Sequence, residues 1–386
     1  MKSNTFRTIL ILLFCWPMVQ LSGQTFPNSP TGFYHRTATG GNWNQTSTWG
    51  NQTVPGTGQS VRIPQGVTVV VTNLNSAEVK FIRVEGTLIF RPTLNTKLTA
   101  ETIYIASQGK LRMGTATRPI AVNRTAEIVF SNSGPAFNTI WDAREISRGL
   151  ISDGQVVIAG SAKTNRVECD NSIQLGQTSI NLHLPAPTNW RVNDELAIAG
   201  TQFKQGTHHS DEIVRFLSKG ATQINLQGST PIQKPHLRVR TDMNLHIANL
   251  TRNVILRSES ASPIKARGHA MFRAGSDVDI RYASFIDLGR TDKTRALNER
   301  IITVNGTGTG QFTNIPGDST NRRGRYSVHF HMNGPGPNVN KPTASVIGCV
   351  VRGTPGWGFV NHSSNVFFKD NICYDFKGAG FVTEAG

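Results

Sequence analysis

The C-terminal part of the chain repeats itself every 22 residues, and few folds accommodate such a repeat. Gly356-Trp357-Gly358-Phe359-Val360-Asn361-His362 lies over Gly378-Ala379-Gly380-Phe381-Val382-Thr383-Glu384. The same shift lays Val346-Ile347-Gly348-Cys349-Val350-Val351 over Phe368-Lys369-Asp370-Asn371-Ile372-Cys373. Short apolar runs at this period, parted by Gly, Asn and Asp, describe a parallel β-helix in which each repeat is one coil stacked on the next. One coil earlier stands Gly324-Arg325-Tyr326-Ser327-Val328-His329-Phe330-His331-Met332-Asn333-Gly334. Alternation predicts Val328, Phe330 and Met332 on the inner face of a strand and His329 and His331 on the outer face; Phe359 and Phe381 are expected in the core too, and His329, His331 and His362 facing a groove. His331 and His362 are 31 residues apart rather than 22, so the surplus is assigned to a loop over Pro335–Pro342. His331, His362 and Glu384 then fall in one outward column, at about 4.8 Å per coil.

The remainder of the 386 residues agrees with an all-β chain. Long amphipathic helical patterns are absent, whereas short β-rich runs bounded by turn residues recur throughout. Met1 to about Gly23 has the form of a secretory leader, with Lys2 and Arg7 before the apolar Thr8–Leu13 and a small-residue Ser22-Gly23 site. Its apolar run, interrupted by Pro17, is too short for a membrane span. A secreted or cell-surface protein without a transmembrane segment is expected. Cys15 leaves with the leader, and Cys169, Cys349 and Cys373 form no metal-type spacing, so buried thiols are expected rather than a disulfide framework.

The formal net charge is +16, which for a secreted chain points to a polyanion. Arg290, Lys293, Arg295, Arg300, Arg322, Arg323 and Arg325 cluster just before the histidine strand. Nucleic acid is not expected, because aromatic stacking residues are not interleaved with this cluster.

Along the chain, residues 24–42 are a polar lead-in. Residues 43–165 carry Trp43, Trp49, Pro55 and glycines at strand ends such as Gly58, Gly66, Gly86, Gly109 and Gly114. Residues 166–243 read as a β-rich connector, and coils are expected from Asn244 to Gly386. His208-His209-Ser210-Asp211-Glu212, in the connector, reads as a solvated turn with a structural ion pair. A β-helix stopping at Gly386 would leave an open coil edge, so a C-terminally truncated chain is expected.

The Trp, Pro and Gly pattern of residues 43–165 resembles the eight-glycine domain of secreted and cell-surface proteins. Further on, Leu250-Thr251-Arg252-Asn253, Gly268-His269-Ala270-Met271, Phe285-Ile286-Asp287-Leu288-Gly289, Arg325-Tyr326-Ser327-Val328-His329-Phe330-His331 and Phe381-Val382-Thr383-Glu384-Ala385-Gly386 follow in order. That series resembles the family of the cell migration-inducing and hyaluronan-binding protein and the cell-surface hyaluronidase. The resemblance implies a β-sandwich-like eight-glycine domain followed by a right-handed, pectin-lyase-like parallel β-helix. It also implies an acidic polysaccharide partner, hyaluronan-like, and calcium as the cofactor.

The candidate catalytic residues are His329, His331, His362 and Glu384. Imidazoles titrate near neutrality and serve as acid, base or metal ligand. Arg325, Arg322, Arg323 and Arg290 are the candidate substrate contacts, since guanidinium grips carboxylate bidentately. His269 and Asp370 are the candidate metal ligands. Hydrolysis would need a second carboxylate beside Glu384; elimination would need a base and a cation beside the uronate carboxyl. A module that binds the glycan without cutting it, or a structural stalk, fits the same residues. The sequence leaves these open.

Overall fold

The computed structural model describes residues 34–133, 142, 145–183, 185–202, 210–298, 320–334 and 343–384. The expected leader, Arg300, the pair His208 and His209, and the loop assigned to Pro335–Pro342 lie outside the described residues. Among those described there is no α-helix, and the chain forms strands joined by tight turns.

Each coil after Gly268 has three short strands. His269–Arg273, Asp277–Arg281 and Ala283–Ile286 make one coil; Val328–His331, Ala344–Ile347 and Val350–Thr354 make the next. Phe359–His362, Val366–Lys369 and Ile372–Phe376 make a third, and Phe381–Glu384 opens a fourth. First strands pair only with first strands, second with second and third with third, always parallel. The expected register holds: Phe359 pairs with Phe381 and His362 with Glu384, while Val328 pairs with Phe359 and His331 with His362. This is a three-sided parallel β-helix.

The glycine-rich N-terminal region belongs to the same helix. Gly149–Ser152 pairs in parallel with Thr96–Ile105 on one side and His269–Arg273 on the other. Gln155–Ala159 likewise joins Lys110–Met113 to Asp277–Arg281. The expected β-sandwich is therefore corrected: this region is built of coils that continue into the later ones, and one apolar core runs from Trp43 to Phe359. The glycines explain why. A Cβ on Gly86 would lie 2.2 Å from the Pro64 carbonyl oxygen, one on Gly109 2.0 Å from that of Val84, and one on Gly154 2.2 Å from that of Ala106. At these corners successive coils approach too closely for any side chain.

Residues 166–249 leave the helix and return. Arg166–Cys169, Ser179–Asn181, Glu195–Ile198, Glu212–Lys219, Gln223–Leu226 and Leu245–Asn249 form an antiparallel sheet with its own core, including Val167, Trp190, Leu196, Phe216 and Ile247. The strand Leu245–Asn249 belongs to this insertion, so coils resume at Val254 rather than at Asn244. At the point of return, buried Arg252 donates to the carbonyl oxygens of Gly348 and Asn249 and to the Asn165 side chain. Glu212 meets the ring of the buried His236 at 2.8 Å, a partner from outside the 208–212 stretch.

Inside the coils Val328, Phe330 and Phe359 are fully buried, and Phe272 stacks on Phe330 with centroids 5.0 Å apart. Two expected core residues differ. The strand ends at His331, and Met332 takes a left-handed turn conformation (φ 51°) that leaves it half exposed. Phe381, on the last described coil, stacks on Phe359 but is 51% exposed. The corner argument makes a prediction. Gly109→Ala should destabilise the protein by roughly 1–3 kcal/mol through overpacking, whereas Gly56→Ala, with open space around it, should be nearly neutral. Equal melting temperatures for the two variants would refute the corner argument.

Candidate functional site

His329 and His331 project from the outer face of Val328–His331 because Val328 and Phe330 fill the core. His362 and Glu384 follow His331 in register on the next two coils. The His331 and His362 Nδ1 atoms are 3.0 Å apart, and a Glu384 carboxylate oxygen lies 4.0 Å from His362 Nδ1. The His329 ring lies parallel to that of His362, with centroids 5.9 Å apart, and 5.2 Å from the ring of His331. One ring nitrogen from each of the three histidines lies within 4.8 Å of the others. The column read from the repeat is thus a cluster in space.

His329 does not face an open groove, however. It is 1% exposed, with Gly324 and Tyr326 packed against it. Gly324, in a left-handed turn (φ 79°), aims its carbonyl oxygen at His329 Nδ1, 2.8 Å away. A carbonyl can only accept, so Nδ1 carries the hydrogen and Nε2 presents a bare lone pair. That Nε2 is buried and has no hydrogen-bond partner. Burial, reinforced by the neighbouring His331, His362 and Arg325, lowers the His329 pKa to about 3. The ring is neutral at any physiological pH. His331 and His362 are half buried and form the accessible part of the cluster.

The arginines expected to grip substrate do something else. Arg290 is 4% exposed and Arg325 7%. Arg290 donates to the carbonyl oxygens of Glu145, Ser147 and Arg148, and Arg325 to those of Glu145 and Arg323. Arg322 faces the Glu145 carboxylate at 3.6 Å with its side chain 13% exposed. These three clamp residues 145–148 to the segment covering His329, and buried guanidinium groups can be held so only because carbonyl oxygens satisfy them. Of the four, only Arg323 is exposed.

The expected metal ligands also part from the cluster. His269 is fully buried; its Nδ1 lies 2.9 Å from the Arg148 carbonyl oxygen and 3.0 Å from Arg290. Burial first, then the nearby arginines, holds its pKa well below the usual value. It stands two positions before Met271, the residue opposite His329, so it belongs to another column. Asp370 is an exposed turn residue between the second and third strands of its coil, its carbonyl oxygen held by Asn165. A cavity of about 450 Å³ lined by Asn123, Lys163, Arg191, Asp194 and Asn253 sits where the insertion meets the helix, and no member of the cluster lines it.

Two neighbours went unread in the sequence. Trp357 stacks on the buried Tyr326 at 4.7 Å, and the Lys293 ammonium sits 3.8 Å above the Trp357 ring. Tyr326 in turn meets the His329 ring edge-on at 5.2 Å, and Lys293 feels the Glu384 charge. Their signal was faint: Lys293 stood in the basic cluster, and Trp357 was a glycine-flanked aromatic in the repeat. Calcium, implied by resemblance, is not suited to three imidazoles with one carboxylate, because it takes six to eight oxygen ligands.

Acid should weaken the fold through the buried rings. The folded pKa of His329 is depressed, so between its unfolded value near 6.5 and about 3 the unfolded chain binds a proton that the native one refuses. Stability is therefore fully present above pH 6.5 and lost as pH falls, by about 1 kcal/mol per pH unit for such a ring. Thermal melting should drop progressively from pH 7 to pH 4; a flat profile would contradict the burial described.

Residues 48–168 match the family model of the G8 domain, the region whose spaced glycines pointed to it. Three proteins of Dictyostelium discoideum are similar over most of the chain. Protein rliB is 22% identical, communication mutant protein F 21%, and a G8 domain-containing protein 23%. Each similarity takes in 89% of this chain and 28% of the relative, so the chain spans little more than a quarter of their length. Among solved structures, the Gp54 tailspike of Acinetobacter baumannii bacteriophage AP22, in complex with capsular saccharide, is similar at 9% identity with a TM-score of 0.22. That similarity covers 78% of this chain and 42% of the tailspike chain. The chain thus carries a G8 domain, over residues 48–168.

Proposed function

We propose that this is a secreted or cell-surface protein that binds an acidic polysaccharide across the outer face of its β-helix and depolymerises it at the histidine–glutamate column. By resemblance the glycan is hyaluronan-like. The observation that carries this reading is the column itself, with an aromatic ring and a cation beside it. The Trp357 edge offers an apolar surface for a sugar ring, Lys293 offers charge for a uronate carboxylate, and Glu384 is the adjacent proton acceptor.

The carboxylate count favours elimination over hydrolysis. Among the described residues of that row of strands, the nearest carboxylate to Glu384 is Asp153, which is held by Arg273 and Tyr104. It stands four coils away, roughly 19 Å at 4.8 Å per coil, whereas hydrolysis uses carboxyl pairs about 5–9.5 Å apart. In elimination Glu384 takes the proton from the carbon bearing the uronate carboxyl. The glycosidic C–O bond at the next carbon breaks, a C=C bond forms, and the departing oxygen takes the proton that Glu384 removed. His329, buried and neutral, does not touch the sugar.

The test is to incubate the complete mature protein with acidic and neutral polysaccharides and follow chain length and unsaturated ends. Acidic chains should be retained and shortened, with ultraviolet-absorbing ends. Glu384→Gln should slow cleavage at least about 100-fold while retention persists, and Lys293→Ala with Trp357→Ala should weaken retention about 10-fold. Retention without shortening would reduce the protein to a glycan-binding module, the reading that the lone carboxylate also allows. No retention of any acidic chain would overturn both.

A further inference from the structure

We propose that His329, His331 and His362 form a three-imidazole site for a divalent transition ion, zinc or a first-row neighbour, with the fourth position open toward Glu384. The inference stands on the geometry of the three rings and deepens the glycan reading by supplying the cation that an acidic sugar would meet.

The first argument is the unpartnered nitrogen. His329 is 1% exposed, its Nδ1–H is fixed by the Gly324 carbonyl oxygen at 2.8 Å, and its Nε2 lone pair is buried with nothing to accept from. A backbone carbonyl that fixes one imidazole nitrogen so that the other can ligate is the usual support of a metal-binding histidine. Buried polar atoms are otherwise hydrogen-bonded, so an orphan on a ring packed beside two more imidazoles calls for an occupant.

The second argument is convergence. His331 and His362 come from adjacent coils, their Nδ1 atoms 3.0 Å apart, and one nitrogen of each of the three rings lies within 4.8 Å of the others. A tetrahedral ion with bonds of about 2.0–2.1 Å holds its nitrogen ligands roughly 3.4 Å apart. Small rotations of the two half-buried rings bridge the difference.

The third argument is donor chemistry. Imidazole nitrogen suits zinc, copper, nickel, cobalt and iron, not calcium or magnesium. Three protein ligands with one position left over is the arrangement of a reactive site rather than of a structural one. His331 and His362 leave a route from solvent, while Tyr326, Trp357 and Gly324 close the other sides. The ion also answers an electrostatic puzzle. Arg290 and Arg325 are buried under the surface, so the bound cation would add to the Lys293 charge beside the column, and a uronate carboxylate oxygen is a natural fourth ligand.

The experiment uses the full-length mature protein, stripped with chelator and dialysed, then titrated with zinc alone and with cobalt as an optical probe. One equivalent of zinc per chain should bind, raise the melting temperature and displace cobalt, whose complex should show the visible bands of a tetrahedral nitrogen site. His331→Gln and His362→Gln, at half-buried positions that leave the coil core intact, should each weaken zinc affinity by at least about 10-fold. His183→Ala, at an exposed histidine beside Asp170 on the insertion, should leave it unchanged. Absence of stoichiometric uptake by the wild type, or uptake unaltered in both glutamine variants, would overturn the site. Uptake without retention of any acidic glycan upholds the site and sinks the glycan reading; glycan retention without uptake does the reverse.

Discussion

In a parallel β-helix every outward side chain has a counterpart on the next coil, about 4.8 Å away, and that in-register stacking is the constraint on which this molecule depends. It lets one hydrogen-bonded row run from the glycine-rich coils through to Glu384. It also forces like positions together. Where the stacked residues are phenylalanines inside the coil, they extend one core; where they are His331, His362 and Glu384 outside it, they become a site. Both follow from the same register.

Stacking alone gives a flat, exposed row. The row becomes a site because the segment that carries Gly324 and Tyr326 packs against one of the rings. Holding that segment down requires buried guanidinium groups, and Arg290, Arg322 and Arg325 tie it to residues 145–148 through carbonyl oxygens and the Glu145 carboxylate. Arg290, Arg322 and Arg325 therefore serve the architecture of the site rather than its surface. One consequence is that His329 sits in a desolvated setting that disfavours its protonation.

Much of this was legible in the sequence. The 22-residue repeat gave the register of the last coils, and a 31-residue spacing placed His331 beside His362 across an intervening loop. Those are local, periodic signals, and hydrogen bonding between coils enforces them. What was not legible came from segments that cross over the coils. Nothing local shows that Arg325 turns inward, because its guanidinium bonds to a residue 180 positions earlier; the Gly324 cap on His329 is five residues away but needs the left-handed turn at Gly324. Arginine clusters look alike in sequence whether they face solvent or carbonyl oxygens. The glycine-rich region misled differently: its strands were visible, but their pairing, coil on coil rather than in a sandwich, lies in long-range partners such as Gly149 with His269. Met332 departed from alternation because the turn after His331 takes a left-handed residue.

The central claim is that the coil register builds a nitrogen-donor cluster on the outer face. X-ray absorption at the zinc edge of the zinc-loaded protein tests it most directly, because imidazole rings scatter with a recognisable outer-shell pattern and the three free cysteines provide a clear competing ligand. The account predicts three imidazole nitrogens at about 2.0–2.1 Å with one oxygen donor and no sulfur. A spectrum dominated by sulfur near 2.3 Å, or by oxygen without imidazole scattering, would contradict it.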